Sequence, residues 1–226
     1  MNRQLLAPII VGTDIIPYSN EVKDLGVTIS SDLSWNRHVN TISSKVHYVL
    51  YRLKFRGSFL PPSIKLSLVN ALVIPHLDYA TLVIADLSGY LNTKLQRLQN
   101  IALRYIYRLR RDERLKPYKK RANWLSITSR RQYFLGNLAY QIITTSQPSY
   151  LSSRFILIYD SLRRSSRLNS SQFMLPTSRT NLYARSFWIT AIKFWSSLSP
   201  RLRGLASLAS FRTNLFASLF SADHSD

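Results

Sequence analysis

The chain has 226 residues, 46% hydrophobic and 12% aromatic, too apolar to stay unfolded and long enough to bury about 70% of its unfolded surface. Lysine and arginine total 31 against 11 acids, a formal net charge of +20, so the expected partner is a polyanion. The absence of cysteine excludes disulfides, thiolate metal sites and cysteine nucleophiles, and fits an intracellular protein, nuclear or cytoplasmic and not secreted.

Residues 1 to 31 read as a small antiparallel β element. Pro8 to Val11, a turn at Gly12-Thr13-Asp14, Ile15-Ile16, and then Val22 to Ile29 around Gly26 are β-branched runs punctuated by glycine and aspartate. The run from Leu5 to Val11 after Arg3 has the look of a minimal signal-peptide core, but Pro8 interrupts it. From Ser34, a plausible cap, the period turns helical through Val39, Ile42, Val46, Val49 or Leu50, and Leu53 to about Phe55, with Gly57 as the stop.

A second helix is expected from Pro61-Pro62 through Ile64, Leu68, Val69 and Leu72, broken or kinked at Pro75. The stretch Leu66 to Leu87 is the most apolar, yet it carries Asn70, Pro75, His76, Asp78 and Asp86, so it reads as core and not as a membrane span. The third helix has the cleanest seam: Leu91, Leu95, Leu98, Ala102, Tyr105 and Leu109 are spaced 4, 3, 4, 3, 4. A basic loop at 111 to 121 leads to a fourth helix, from Ser126 or Thr128 through Phe134, Leu135, Leu138 and Ile142, ending before Pro148.

Residues 146 to 181 form a Ser/Arg-rich connection: ten serines lie between Ser146 and Ser178, together with the cluster Arg163-Arg164-Ser165-Ser166-Arg167. Short strands are expected there at 155 to 159 and 173 to 175. A C-terminal helical segment, 182 to 222, closes the chain. The fold class is therefore mainly α (α+β): a helical domain over residues 32 to 145 with a small N-terminal β element and a C-terminal helical segment.

The basic residues are placed in rows. Residues 1 to 51 net to zero, whereas eleven bases lie between Arg104 and Arg131 against Asp112 and Glu113 alone. Arg97, Arg104, Arg108 and Arg111 are spaced 7, 4 and 3, about 100° round from the buried seam of their helix. On the first helix His38, Lys45 and Arg52 repeat every seven residues beside Tyr48 and Tyr51, with Arg56 one turn on. Rows of cations neutralise phosphates with counterion release, and interleaved rings pack on sugars or bases. The plain alternative is a solvated helix face, which ordinarily mixes both signs of charge.

Catalysis finds little support. His76 and Asp78 can be drawn as a general-base or metal site, but they sit on an apolar helix with no second carboxylate at ligand spacing, and a core histidine and a turn aspartate explain them better. Gly-rich phosphate loops, nucleophile elbows and His-Glu-x-x-His pairs are missing. We expect no catalytic residue, no metal, no cofactor and no autonomous activity.

A resemblance joins several segments. Val22-Lys-Asp-Leu-Gly-Val-Thr-Ile29, Leu33-Ser-Trp35 and His38-Val39 are similar to the stretch of non-LTR retrotransposon (LINE, jockey-like) reverse transcriptases that reads roughly "vKyLGv.ld..LsW..Hi". Ala71 to Tyr79 resembles their "alv.P.ldYa", Leu95 to Asn100 their "le.lQn.alR", and Arg130-Arg131 their paired arginines. Ser186-Phe187, Phe194-Trp195, Leu198, Pro200 and Phe211-Arg212 resemble "sF...a...WNsLP......FK..l". The match runs over about residues 9 to 220 and departs from the pattern at Ser196, Ser199 and Ile84-Ala85-Asp86.

The resemblance implies a thumb-side fragment of an RNA-directed DNA polymerase. Its metal-binding aspartates would belong to a palm upstream of this chain, as would the endonuclease. Ile84-Ala85-Asp86-Leu87 has one aspartate and follows the thumb-like helix, so it is not the palm motif. Leu25 and Gly26 would lie near the primer grip, and residues 32 to 145 would be a thumb-like domain that holds a template and primer.

The expected function is nonspecific binding of RNA, RNA/DNA hybrid or DNA through Lys45, Arg52, Arg56, Arg97, Arg104, Arg108, Arg111, Lys119, Lys120, Arg121, Arg130 and Arg131. The rest of a reverse transcriptase acting in trans is a further possible partner, and a membrane is not the expected one. The alternatives are a truncated transposon relic without function, marked by an exposed apolar patch on the first 30 residues, and a basic peripheral membrane or scaffold protein.

Overall fold

Two hairpins open the chain in the computed structural model, which describes residues 7–57, 59–157 and 173–225. β1 (Ile9–Val11) pairs with β2 (Asp14–Ile16), placing Ile9 opposite Ile16, and β3 (Glu21–Asp24) pairs with β4 (Val27–Ser30), placing Glu21 opposite Ser30. Leu25 and Gly26 both have positive φ, 43° and 83°, the two-residue turn whose twist suits a hairpin. Tyr79 supports that turn: its hydroxyl donates to the Leu25 carbonyl, and a Cβ at Gly26 would lie 3.4 Å from its ring. Of the strand residues only Val27 is buried, against α1.

α1 (Asn36–Arg56) buries Val39, Ile42, Val46 and Leu50, the expected seam. It starts later than the sequence implies, because the Ser34 amide donates to Asp32 Oδ1 in a turn and Ser34 does not cap the helix. His38 is also buried, 3% exposed, with Nδ1 accepting from the Thr28 amide at 3.3 Å. It anchors the second hairpin and is no part of a charged ridge.

α2 (Pro62–Leu72) begins at its proline as expected. Pro75 does more than break it, since a missing N–H is harmless in a first turn and α3 (Ile74–Asp78) starts there. α4 (Gly89–Tyr107) is capped by Ser88, whose Oγ accepts from the Leu91 amide, and buries Leu91, Leu95, Leu98, Ala102 and Tyr105. The helix ends at Arg108 with φ 55°, so Leu109, the last residue of the predicted seam, falls outside the helix. The expected basic loop at 111 to 121 contains a short helix, α5 (Lys116–Arg121), with Pro117 in its first turn. α6 (Ile127–Thr145) is capped by Ser126.

The remaining described chain forms α7 (Ser149–Ser152), α8 (Asn181–Ala184), α9 (Phe187–Ser197), α10 (Pro200–Arg203) and α11 (Leu208–His224). Where two strands were expected in the connection, the described residues have one antiparallel bridge, Leu157 with Phe173, and residues 158 and 159 of the first strand lie outside them. The cluster Arg163 to Arg167 lies outside the described residues. The protein is thus mainly α (α+β), and among the described residues no helix is long and apolar enough to cross a membrane.

Two apolar clusters hold these elements. The first gathers α1, α2, α3 and α4 around Val46, Val69, Leu95 and Ala102 and reaches Ile127 of α6. The second joins the other end of α6, at Ala139 and Tyr140, to Ile192, Trp195, Phe211 and Leu215. Phe211 is fully buried there, stacked on Tyr140 at 4.5 Å and on Trp195 at 5.8 Å between centroids. Its truncation, Phe211→Ala, should cost about 3–5 kcal/mol, lowering the denaturant midpoint by far more than the exposed Phe59→Ala.

Candidate nucleic-acid interface

The geometry of the basic rows follows from how α1 and α4 pack. Lys94 Nζ donates to Asn40 Oδ1 at 2.5 Å, and the Tyr105 hydroxyl donates to the Leu53 carbonyl at 3.0 Å. These pairs are separated by 54 and 52 residues, so the two helices run parallel and nearly in register. At about 100° per residue, Arg97 and Arg104 lie roughly 60–80° round from Lys94, on the outer rim of α4 that borders α1, and Arg108 follows as the left-handed residue that ends the helix. Lys45, Arg52 and Arg56 lie roughly 120–160° round from Asn40, on the far flank of α1.

The space between the two rows is filled by rings. Tyr51, Phe55 and Tyr48 fall roughly 20–80° round from Asn40 and are 68%, 79% and 61% exposed. The outer surface therefore runs from a basic row on α1, over an aromatic ridge, to a basic row on α4. At the other edge of α4 the Arg121 guanidinium lies 5.7 Å from the Tyr107 ring centroid, carrying the positive face on to α5.

Eight of the twelve expected cations are exposed: Lys45, Arg52, Arg56, Arg97, Arg108, Arg111, Lys120 and Arg121. Arg52 also donates to the Tyr48 hydroxyl at 3.0 Å, which fixes it beside the ridge. Arg104 is half-buried and donates to the carbonyls of Arg110 and Glu113. Neutral acceptors leave its charge uncancelled.

Three expected residues serve the fold. Arg130 makes a two-pronged ion pair with Asp78, Nε to Oδ1 and Nη2 to Oδ2, each at 2.5 Å, which joins α6 to α3. Arg131 is 7% exposed, donates to Asn92 Oδ1 at 2.8 Å and is pulled below its ordinary pKa by burial, with Asp86 opposing the shift. Lys119 lies 3.8 Å from Asp223 of α11. The paired arginines and Lys119 are thus inward struts, each matched to an acceptor distant in sequence.

Leu25 and Gly26 form the tip of the second hairpin, against Tyr79 at the end of α3, and are not among the cationic rows. Asp78 is committed to Arg130, and among the described residues no three His, Asp or Glu gather as a metal would need. Below the α4 row, Lys65 is buried with its ammonium 5.2 Å from the Tyr105 ring centroid; burial, then Arg108, lowers its pKa.

Phe55 is the member of the face that the sequence reading did not single out. The available signal was its position roughly 160° from the Val39 seam, which makes it an outward-facing phenylalanine and not the seam's last residue. No protein-family model matches the chain, and neither a curated protein nor a solved structure does.

A carboxylate sets the pH response of the scaffold behind this face. Burial raises the pKa of Asp223, but donors outweigh it: the Ser126 amide at 2.5 Å, the hydroxyls of Ser129 and Ser126 at 2.7 and 3.0 Å, and Lys119. The folded value is therefore below the ordinary 3.8. Stability from this group is fully present above the unfolded pKa and is lost as pH falls through the lower folded one. Denaturation followed between pH 6 and 2 should lose part of its acid slope in Asp223→Asn, with a lower stability at pH 6.

Proposed function

We propose that this chain binds nucleic acid without sequence preference, holding RNA or an RNA/DNA hybrid by its phosphates, and that it derives from the thumb side of a non-LTR retrotransposon reverse transcriptase. The observation that carries the binding reading is the pair of exposed cation rows on α1 and α4, with Arg121 and Lys120 beyond them, in a chain of net charge +20. Such a row attracts a phosphodiester backbone and gains entropy from released counterions. Contacts of this kind fix a strand by its phosphates and carry no sequence information. Polymerisation forms no part of the proposal: phosphoryl transfer depends on carboxylate-held metal ions, and of the acids near the face Asp78 is engaged with Arg130 and Glu113 with the Arg110 amide.

A second reading has its own support. Ile9, Ile10, Val11, Ile15 and Ile16 are exposed on both faces of the first hairpin, an apolar element that nothing among the described residues covers and that fits a chain built to seat on a separate palm, or a relic that associates with itself. The two readings are separable in one experiment. Purified protein is titrated with RNA/DNA hybrid, with RNA and with anionic vesicles over a range of salt, and its mass in solution is followed alongside. Nucleic-acid affinity should exceed that for vesicles and fall with log salt at a slope of about −4 to −6. Lys45→Gln with Arg97→Gln should flatten that slope by about 2 and weaken all sequences alike. Equal binding to every polyanion by an aggregated protein would support the relic, and tighter binding to vesicles a membrane-surface role.

A further inference from the structure

We infer that the cleft between the start of α4 and the face of α9, floored by α6, binds a nucleotide through a terminal phosphate monoester. This goes beyond the holding of a strand by the rows of α1 and α4 and uses none of their residues.

The first observation is the place and size of the cleft. Leu87, Ser88 and Gly89 form one wall, Lys193 and Phe194 of α9 the other, and Gln132 and Leu135 of α6 lie between them. Leu87 belongs to the first apolar cluster and Phe194 packs on the second, so the cleft opens at the junction of the two, where small-molecule sites tend to form. Its volume is 660 Å³. A bare phosphate would leave most of that to water, whereas a nucleotide fills it, with the Phe194 ring and Leu135 offering an apolar side to the base.

The second is charge. Arg185, just before α9, and Lys193, on it, line the cleft, are exposed, and have no ion-pair partner among the described residues. The acid on the walls, Asp86, is already engaged, accepting from the Trp35 indole at 2.5 Å. Arg131 stands behind that wall: it donates to Asn92 Oδ1, and Asn92 donates to the Leu87 carbonyl. Its Nε and Nη2 are buried without a partner among the described residues, and Asp86 is the carboxylate that opposes the lowering of its pKa. The Asp86 charge is thus matched from behind, which leaves Arg185 and Lys193 to a ligand.

The third is the N-terminus of α4. Ser88 Oγ takes the Leu91 amide, and the Gly89 amide has no acceptor among the described residues, at the positive end of a 19-residue helix. A Cβ at Gly89 would meet nothing within 4 Å, so a phosphate has room to approach. Amide, guanidinium and ammonium together are the donors of a phosphate site. A terminal monoester gains most from them, because it carries about −1.5 to −2 charge at pH 7, more than a phosphate inside a strand.

The test titrates the full chain with adenosine 5′-monophosphate, adenosine and inorganic phosphate, and with one RNA strand carrying either a 5′-phosphate or a 5′-hydroxyl. The monophosphate should bind about tenfold tighter than adenosine or inorganic phosphate. Arg185→Gln with Lys193→Gln, both at exposed positions, should remove that advantage, whereas Lys45→Gln with Arg97→Gln, aimed at the rows, should leave it. Gly89→Asp sets a carboxylate of the protein's own in the open space, so monophosphate binding should be lost while the thermal midpoint holds or rises, an acid being favourable at a helix start. A strand preference for the 5′-phosphate that disappears in Arg185→Gln with Lys193→Gln identifies strand ends as the source of the phosphate; equal strands with tight monophosphate binding identify free nucleotide. Monophosphate binding that survives these cleft variants overturns the inference, and so does adenosine binding as tightly as its monophosphate with the two strands equal. In either case, RNA binding with its salt slope leaves the phosphate-holding rows standing, and loss of RNA binding alone leaves the cleft standing.

Discussion

The first turn of α6 is the joint on which the molecule depends. Ile127 belongs to the apolar cluster of α1 to α4, while Ala139 and Tyr140, three turns further on, belong to that of α9 and α11. Carboxylates brought from other elements hold this turn: Asp78 of α3 on Arg130, and Asp223 of α11 on Ser126 and Ser129. Asp223 sits where the helix presents its unpaired amides and positive dipole end, so hydrogen bonding and dipole act together. Gln96 of α4 closes the set by accepting from the Ile127 amide at 3.0 Å. Loss of this joint would leave two small helical clusters with little in common.

The same residues explain how a chain with so few acids folds at all. Asp86 accepts from the Trp35 indole at 2.5 Å, Glu113 from the Arg110 amide at 2.6 Å, and Asp78 and Asp223 work at the joint. Asp78, Asp86 and Asp223 each tie together segments distant in sequence, and Glu113 closes the loop that follows α4. Because these acids face inward or along loops, the outer rims of α1 and α4 keep nearly unopposed cations. Scaffold and binding face are thus two results of one distribution of charge.

Strictly periodic features were legible from sequence. The α4 seam at spacings of three and four and the proline start of α2 each follow from a local rule, and the start of α6 could be narrowed to Ser126 or Thr128. α5 was not legible, because six residues with one apolar position besides Pro117 have no period to detect. The inward arginines were opaque for another reason: Arg130 and Arg131 look like their solvated neighbours, and only partners 52 and 39 residues away decide their burial. The site divided in the same way. Arg97 and Arg104 could be placed on one face of α4 from their spacing, whereas Arg108 and Arg111, expected in the same row, lie past the end of the helix. That this face borders the ring ridge of α1, while the α1 row points away, depends on a parallel packing that no single helix encodes.

The uncovered first hairpin makes ionic strength act in two opposing directions. Its short ladder leaves apolar side chains and strand edges open to a second molecule, and the +20 charge is the force that keeps such molecules apart. That repulsion reaches only about 10 Å at 0.1 M salt, so added salt that releases a bound polyanion also lets hairpins approach. A bound strand has the opposite effect on the second term, since it neutralises the same cations that enforce separation. Colloidal behaviour and ligand occupancy are therefore coupled in this protein, and crowding on a long polyanion would bring the apolar hairpins of neighbouring copies within reach of one another.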